Sequence, residues 1–244
     1  PVLVRLDRAL VESGWFGSRA QAQDAIRAGR VSVEGRVVSK SSADVSAAAQ
    51  FEVSGDRHYV SRAAHKLLGA LADSGVQVPE RVLDAGASTG GFTQVALEAG
   101  ATRVYAVDVG HGQLVDSLRN DPRVVVRERL NLRELTMADL DGAPVGLVVA
   151  DVSFISLTMI LGRLLTVLTP DGHALLLVKP QFEVGRSGLD DRGVVRDPAL
   201  RRRAVAAVLD VAAELGWTAR WQGQSGLPGE SGNVEFFIDL VHSR

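Results

Sequence analysis

The spacing of apolar residues divides the chain into two parts with different patterns. In the first part, apolar positions at helical spacing predict helices at 6–12 and 18–28, and a serine cap opens the second helix. Two alternating segments around Glu34-Gly35 predict a tight hairpin of short strands. We therefore expect a small α+β domain at residues 1–55 and a linker at 56–60.

From residue 61 to residue 244 short apolar runs alternate with segments of helical spacing, beginning with a helix at 61–74. The predicted strands are 82–85, 103–108, 124–127, 146–151, 174–178, 218–222 and 234–241. The predicted helices between them are 92–99, 113–118, 156–168 and 198–215. This alternation is typical of a largely parallel, doubly wound α/β sheet, here with seven strands. The short loop P-G-E-S-G-N before the last strand predicts a final antiparallel pair.

Composition excludes several kinds of chemistry. The 244 residues contain no cysteine, which rules out disulfides, thiolate metal sites and cysteine nucleophiles. No apolar stretch approaches the roughly 20 residues that span a bilayer, and the start P-V-L-V-R-L-D does not resemble a signal peptide. We expect a cytoplasmic protein with no membrane partner and no metal site.

The charge is uneven along the chain. The formal net charge is −2, but residues 1–40 carry seven Lys/Arg against four Asp/Glu, a local charge of +3. Charge alone leaves two interpretations open, a solvated helix face and a small RNA-binding module. The candidate RNA-binding residues are Arg8, Arg19, Arg27 and Arg30.

A glycine-rich loop, D-A-G-A-S-T-G-G-F, follows the strand predicted at 82–85. No lysine follows its last glycines, which excludes a P-loop, and its spacing is not G-x-G-x-x-G. Asp84 would repel a pyrophosphate but suits a ligand with a positive group, such as the ammonium and sulfonium of S-adenosylmethionine. Asp108 ends the next strand, where an acid reaches ribose hydroxyls in nucleotide folds. The loop resembles motif I of the Rossmann-like methyltransferases.

That resemblance implies S-adenosylmethionine as the cofactor. It implies that the cofactor approaches the backbone at Gly90 and that the loop contacts the methionine end of the cofactor. The residues predicted to bind the cofactor are Asp84, Gly86, Ser88, Thr89, Gly90, Phe92, Asp108 and Asn131. Asn131 is an equally good candidate for capping a turn.

The residues at the ends of the later strands indicate which atom receives the methyl group. Methylation of cytosine C5 needs a cysteine, and exocyclic amine methyltransferases usually carry an Asp/Asn-Pro-Pro-aromatic loop where this chain has Asp151-Val152-Ser153-Phe154. A hydroxyl acceptor fits better. Asp151 and Lys179 end the fourth and fifth strands, and in a doubly wound sheet those ends face the ligand crevice.

The spacing of Lys66, Asp151, Lys179 and Glu235 resembles the K-D-K-E tetrad of the FtsJ-like RNA ribose 2′-O-methyltransferases. Further motifs are similar to the TlyA family: S-R-A-A-H-K-L, L-D-A-G-A-S-T-G-G-F-T, D-V-G-H-G-Q-L, N-D-P-R-V, A-D-V-S-F-I-S-L, V-K-P-Q-F-E-V-G and G-N-V-E-F-F. The resemblance implies a Rossmann-like class I methyltransferase domain preceded by an S-four-type RNA-binding domain. The family's linker, usually Arg-x-Trp-Val, appears here as Arg57-His58-Tyr59-Val60.

The family's activity, 2′-O-methylation of cytidine in ribosomal RNA, makes ribosomal RNA or ribosomal subunits the expected partners. The resemblance implies that Lys179 removes or steers the 2′-hydroxyl proton, that Asp151 orients Lys179, and that Lys66 and Glu235 hold the ribose. Two other classes compete with this reading, a non-catalytic RNA-binding or ribosome-assembly factor and a membrane-active haemolysin. The sequence makes no prediction of oligomeric state.

Overall fold

The structure, a computed structural model, describes residues 3–13, 15–16, 18–46, 49–53 and 59–243. The chain divides into two compact units, Pro1–Tyr59 and Val60–Arg244. Residues 56–58, most of the predicted linker, lie outside the described residues.

The described residues of the first unit form two helices and five short strands. These are β1 (Leu3–Arg5), α1 (Leu6–Glu12), α2 (Arg19–Arg27), β2 (Val31–Val33), β3 (Arg36–Val37), β4 (Asp44–Ser46) and β5 (Phe51–Val53). Both predicted helices are confirmed, and the Ser18 hydroxyl caps α2 by accepting from the Gln21 amide at 3.3 Å. The hairpin is also confirmed, with Val33 opposite Arg36.

Two strands of this unit were not predicted. β1 pairs with β4, and β5 pairs with β2, each in antiparallel register. The core of the unit lies between the helices and these strands and is formed by Leu6, Leu10, Ala22, Ala25, Ile26, Val31 and Val45, with their neighbours. Burial of these side chains is what stabilises so small a unit.

The second unit alternates strands and helices. Its helices are α3 (Ala63–Ser74), α4 (Gly91–Glu98), α5 (Asp116–Arg119), α6 (Leu161–Thr166) and α7 (Pro198–Glu214). Its strands are β6 (Arg81–Ala85), β7 (Arg103–Val107), β8 (Val124–Arg127), β9 (Val145–Ala150), β10 (Leu168–Val178), β11 (Trp217–Gln224) and β12 (Phe236–His242). Short 3₁₀ turns lie at Leu132–Glu134, Met137–Leu140, Leu157–Met159, Pro180–Phe182 and Arg186–Gly188.

The seven strands form one sheet in the order β11-β12-β10-β9-β6-β7-β8. The pairs among β10, β9, β6, β7 and β8 are parallel, whereas β12 runs antiparallel to both β10 and β11. The predicted doubly wound sheet with a final antiparallel pair is therefore confirmed. The carboxyl ends of the parallel strands meet at one edge, which is where ligands bind in such sheets.

The helix predicted at 156–168 is the main error in this unit. The segment forms a 3₁₀ turn at Leu157–Met159 and a shorter helix, α6, and β10 already begins at Leu168. The prediction failed because continuous apolar runs do not distinguish a buried helix from a buried strand. Among the described residues, no helix combines the length and apolarity needed to cross a membrane.

Candidate active site

The four residues of the predicted tetrad form two ion pairs. Lys66 Nζ, on α3, lies 2.7 Å from Glu235 Oε2. Lys179 Nζ, directly after β10, lies 2.5 Å from Asp151 Oδ1, directly after β9. At most 16% of any of the four side chains is exposed, so each charge depends on its partner rather than on water.

Sheet topology explains how residues so distant in sequence come together. Leu176 of β10 pairs with Ala150 of β9, so Asp151 and Lys179 leave adjacent parallel strands at the same edge. Val178 pairs with Phe236 of the antiparallel β12, which brings Glu235, just before that strand, to the same place. α3 supplies Lys66 from the side.

Two residues that were not predicted complete this arrangement. Gln181 Nε2 donates to Glu235 Oε1 at 3.0 Å, and Lys179 Nζ donates to Ser153 Oγ at 3.1 Å. Lys179 thus donates a hydrogen bond to Ser153. Its 2.5 Å contact with Asp151 is an ion pair whose geometry is not that of a hydrogen bond, and Asp151 Oδ1 is buried without a hydrogen-bond partner. Both residues stand in motifs visible in the sequence, but only tertiary contacts reveal their roles.

Asp84 lies beneath the glycine loop and is fully buried. Its Oδ2 accepts from Thr93 Oγ1 at 2.7 Å, and its Oδ1 has no hydrogen-bond partner. Burial raises the pKa of the Asp84 carboxyl to about 7, the Thr93 bond opposes this shift, and the charges of Asp151 and Asp108 add to it. Three carboxylates therefore lie close enough to repel one another.

Asp108 holds the loop from the end of β7. Its two oxygens accept from the Ser88 amide at 2.8 Å and the Gly110 amide at 2.7 Å. Ser88 adopts φ +49°, and its hydroxyl lies 3.3 Å from Gln113 Oε1. The Thr89 carbonyl accepts from the Val115 amide at 3.2 Å. Each Asp108 oxygen keeps a second lone pair, so the carboxylate can still accept from ribose hydroxyls.

The glycines of the loop are required by the packing of the protein itself. A Cβ at Gly86 would lie 2.5 Å from the Asp151 carbonyl oxygen, and one at Gly90 would lie 2.3 Å from Leu118 Cδ1. A Cβ on Gly91 would lie 2.2 Å from Ser61 Oγ. Gly86 and Gly90 also have φ values of +84° and +108°, which favour glycine. The packing of the protein itself therefore gives these glycines a role, and the expected approach of a ligand at Gly90 stays a prediction.

Two other predicted cofactor-binding residues, Phe92 and Asn131, lie in different environments. Phe92 is 2% exposed, and its ring stacks with Phe237 at 6.3 Å between centroids, so it lies in the core. Asn131 is exposed, and its side chain accepts from the Arg133 amide at 3.0 Å. This is the turn-capping role that the sequence left open.

The predicted RNA-binding arginines lie in the first unit, and three of them form ion pairs there. Arg8 pairs with Glu12 at 2.7 Å, Arg27 with Asp24 at 2.5 Å, and Arg19 with Asp7 at 3.0 Å. Asp7 is fully buried and also accepts from Arg5 and Gln23, and the Arg5 bond lowers the pKa of its carboxyl well below the usual range. Arg30 is half-buried after α2.

An aromatic pair that was not predicted from the sequence, one ring exposed and the other half-buried, lies in the loops that follow Asp151 and Lys179. Phe154 is 92% exposed, has φ +64°, and lies 5.2 Å from the Phe182 ring between centroids. Bulky residues rarely adopt such a backbone conformation unless their surroundings hold them there. The exposed ring of Phe154 offers an apolar surface in the loop that begins at Asp151.

The acidic edge of the sheet fits S-adenosylmethionine. Asp84 Oδ1 is a buried acceptor without a hydrogen-bond partner, and Asp84 and Asp108 together favour a ligand that carries positive charge, whereas Lys179 balances the charge of Asp151. The described residues hold no group of three or more His, Asp or Glu side chains suited to a metal ion.

Comparison with known proteins agrees with this geometry. The family model for FtsJ-like methyltransferase matches residues 59–241, and the model for the S4 domain matches residues 4–50. The chain is 51% identical over 239 residues to the Mycobacterium tuberculosis 16S/23S rRNA (cytidine-2′-O)-methyltransferase TlyA, covering 97% of this chain and 89% of that one. It is 37% identical to Hemolysin A of Brachyspira hyodysenteriae, covering 98% and 100% of the two chains.

A solved structure extends the likeness to three dimensions. A candidate hemolysin from Streptococcus thermophilus is 36% identical, with a TM-score of 0.78 over 99% of this chain and 89% of that one. The two family models and these relatives agree with one another. The chain belongs to the TlyA family, in which an FtsJ-like methyltransferase domain follows an S4 domain.

Proposed function

We propose that this protein transfers a methyl group from S-adenosylmethionine to the 2′-hydroxyl of a cytidine in ribosomal RNA. The observation that carries the proposal is the two ion pairs at the carboxyl edge of the sheet, the buried Lys66–Glu235 and the half-buried Lys179–Asp151. The similarity to a TlyA methyltransferase that acts on ribosomal RNA supports the choice of acceptor. All four tetrad residues are present and paired, which argues against a non-catalytic RNA-binding factor.

S-adenosylmethionine, when bound, supplies an activated methyl group. Asp84 would attract its positive charge, Asp108 would accept from its ribose hydroxyls, and the loop at 86–90 would contact its methionine end. These assignments follow from the orphaned Asp84 oxygen and from the free lone pairs of Asp108.

Lys179 acts on the acceptor oxygen in one of two ways. As a charged ammonium it donates to the 2′-oxygen and keeps a lone pair in line with the methyl group, while the hydroxyl proton leaves to water as the oxygen–carbon bond forms. As a neutral amine it accepts the 2′-hydroxyl proton at Nζ. In either form Asp151 and Ser153 orient Nζ from two directions. Glu235 holds Lys66 and is itself held by Gln181, and this pair would fix the ribose.

The first unit would dock ribosomal RNA through its basic residues, and the aromatic pair would receive an unstacked base. Bases displaced from a helix commonly stack on aromatic side chains, and enzymes that act on a nucleotide often draw it out of the stack. Phe154 has the exposure that such stacking requires.

The test measures methyl transfer to ribosomal subunits from cells that lack this protein. Wild-type protein with labelled S-adenosylmethionine should methylate a cytidine ribose, located by mapping of 2′-O-methyl positions. Lys179→Ala should lower the rate by at least about 10²-fold, while Arg163→Ala, which removes an exposed cation from α6, should not.

Lys179→Arg separates the two roles, because arginine keeps the charge but cannot accept a proton. Substantial activity in this variant identifies Lys179 as a charged donor. Wild-type rates in Lys179→Ala, or label on a base rather than a ribose, would contradict the proposed function.

A further inference from the structure

Two loops carry the residues around Lys179, and they are fastened together at several points. The first loop, residues 151–158, follows β9, and the second, residues 179–183, follows β10. Lys179 reaches across to Asp151 and Ser153, and Phe182 packs on Phe154. The last link is made by Glu183, which bonds to Ser156 and Leu157 rather than to a residue of the tetrad and has no role in the proposed mechanism.

Glu183 binds the first loop through both of its carboxylate oxygens. Oε2 accepts from Ser156 Oγ at 2.5 Å, and Oε1 accepts from the Leu157 amide at 2.8 Å. Because the Ser156 proton points to Glu183, the contact of 2.6 Å between Ser156 Oγ and Thr158 Oγ1 is donated by Thr158. The carboxylate thus terminates a chain of hydroxyl groups at the start of the Leu157–Met159 turn.

The loops need such a link because sheet pairing ends before they begin. The last paired residues of β9 and β10 are Ala150 and Leu176, so no ladder bond joins Asp151 to Lys179. Phe154 holds a left-handed backbone conformation that a phenylalanine adopts only under constraint. Without Glu183, the first loop would lose its anchor two residues beyond Phe154.

We propose that Glu183 is a positioning residue for methyl transfer, fastening the 151–158 loop to the 179–183 loop so that Asp151, Ser153 and Lys179 keep their spacing. This inference rests on the proposed function for its kinetic consequence. Displacement of catalytic groups by about 1 Å costs up to about 10²-fold in rate. Glu183 therefore acts through the loops rather than on the reacting atoms.

The kinetic test compares Glu183→Ala, Glu183→Gln, Ser156→Ala and the double variant Ser156→Ala/Glu183→Ala. We expect Glu183→Ala to lower kcat by about tenfold to 10²-fold while the affinity for S-adenosylmethionine stays within about twofold. Glutamine keeps one acceptor oxygen and should restore part of kcat. The double variant should be no slower than Glu183→Ala, because both changes break one link.

Asp139→Ala is the matched control. Asp139 also accepts from a hydroxyl and an amide, those of Thr136, at 2.9 and 2.8 Å, but within one local turn. Asp139→Ala should lower the thermal midpoint of unfolding by about as much as Glu183→Ala does, and it should leave kcat unchanged. If Glu183→Ala keeps kcat within about twofold of wild type, or if its effect adds to that of Ser156→Ala, the proposal fails.

A second measurement does not depend on activity. Amide hydrogen exchange at residues 151–158 should accelerate in Glu183→Ala, most at Leu157, and should stay at the wild-type rate in Asp139→Ala. Unchanged exchange would overturn the link itself. Absence of methyl transfer by the wild-type protein would instead contradict the proposed function, so the two failures are distinguishable.

Discussion

Asp84 predicts that binding of S-adenosylmethionine depends on pH. Burial raises the pKa of this carboxyl to about 7, and a ligand with positive charge binds the ionised form. Between pH 6 and pH 8 the ionised fraction rises from about one-tenth to about nine-tenths, so the affinity should increase by about tenfold. The bound complex should release a proton when it forms near pH 7.

The assay is calorimetric titration at pH 6, 7 and 8 in two buffers of different ionisation enthalpy. The amino group of the ligand has a pKa of about 7.7–8.0, and its loss of a proton would weaken binding at the upper end of this pH range. Asp84→Asn keeps that contribution and removes the carboxyl, so the difference between the two proteins isolates Asp84. An affinity difference that does not change from pH 6 to pH 8 would refute the reasoning.

The same shift affects stability without ligand. The pKa of the folded carboxyl is about 7, whereas that of an unfolded aspartate is 3.8. Its contribution is therefore fully present below pH 3.8 and is lost as the pH rises towards 7. Asp84→Asn should remove this slope from urea unfolding measured at pH 5 and pH 8, and an identical slope in both proteins would contradict the assignment.

Two further predictions concern the buried ion pair and the first unit. Glu235→Ala leaves Lys66 buried without its partner and should lower the free energy of unfolding by about 3–5 kcal/mol, measured by urea denaturation. The double variant Lys66→Met/Glu235→Leu should recover much of this loss. If it loses as much free energy of unfolding as Glu235→Ala, the pairing argument is refuted. Arg19→Ala and Arg30→Ala should each flatten the dependence of log affinity for ribosomal RNA on log salt by about 0.7–0.9. Both variants should leave the affinity for S-adenosylmethionine unchanged. If their salt slope equals that of the wild type, the RNA-binding surface lies elsewhere on the protein.

Local patterns predicted the elements that depend on local chemistry. The α2 cap at Ser18, the hairpin at Glu34-Gly35 and the final antiparallel pair all appear where turn and cap residues indicated them. β1 and β5 were missed because each has three residues and is stabilised by a partner far away in sequence. Non-local pairing leaves little trace in a short segment.

The site divides in the same way. Charged residues at strand ends, such as Asp151 and Lys179, could be predicted because sheet topology brings strand ends together. Gln181, Glu183 and Phe154 could not, because their roles depend on contacts between separate loops. The packing of Leu118 and Leu114 against Gly90 could not be predicted either, because it depends on a segment further along the chain.

The position of β12 in the sheet has a consequence for biosynthesis. β12 lies between β10 and β11, and Glu235 precedes it, so the partner of Lys66 leaves the ribosome after the other three residues of the tetrad. The first unit, with its own core, emerges far earlier and can fold while translation continues. A nascent chain would thus acquire the proposed RNA-binding surface well before the proposed catalytic tetrad, and on that proposal a chain cut before residue 235 should bind RNA without transferring methyl groups.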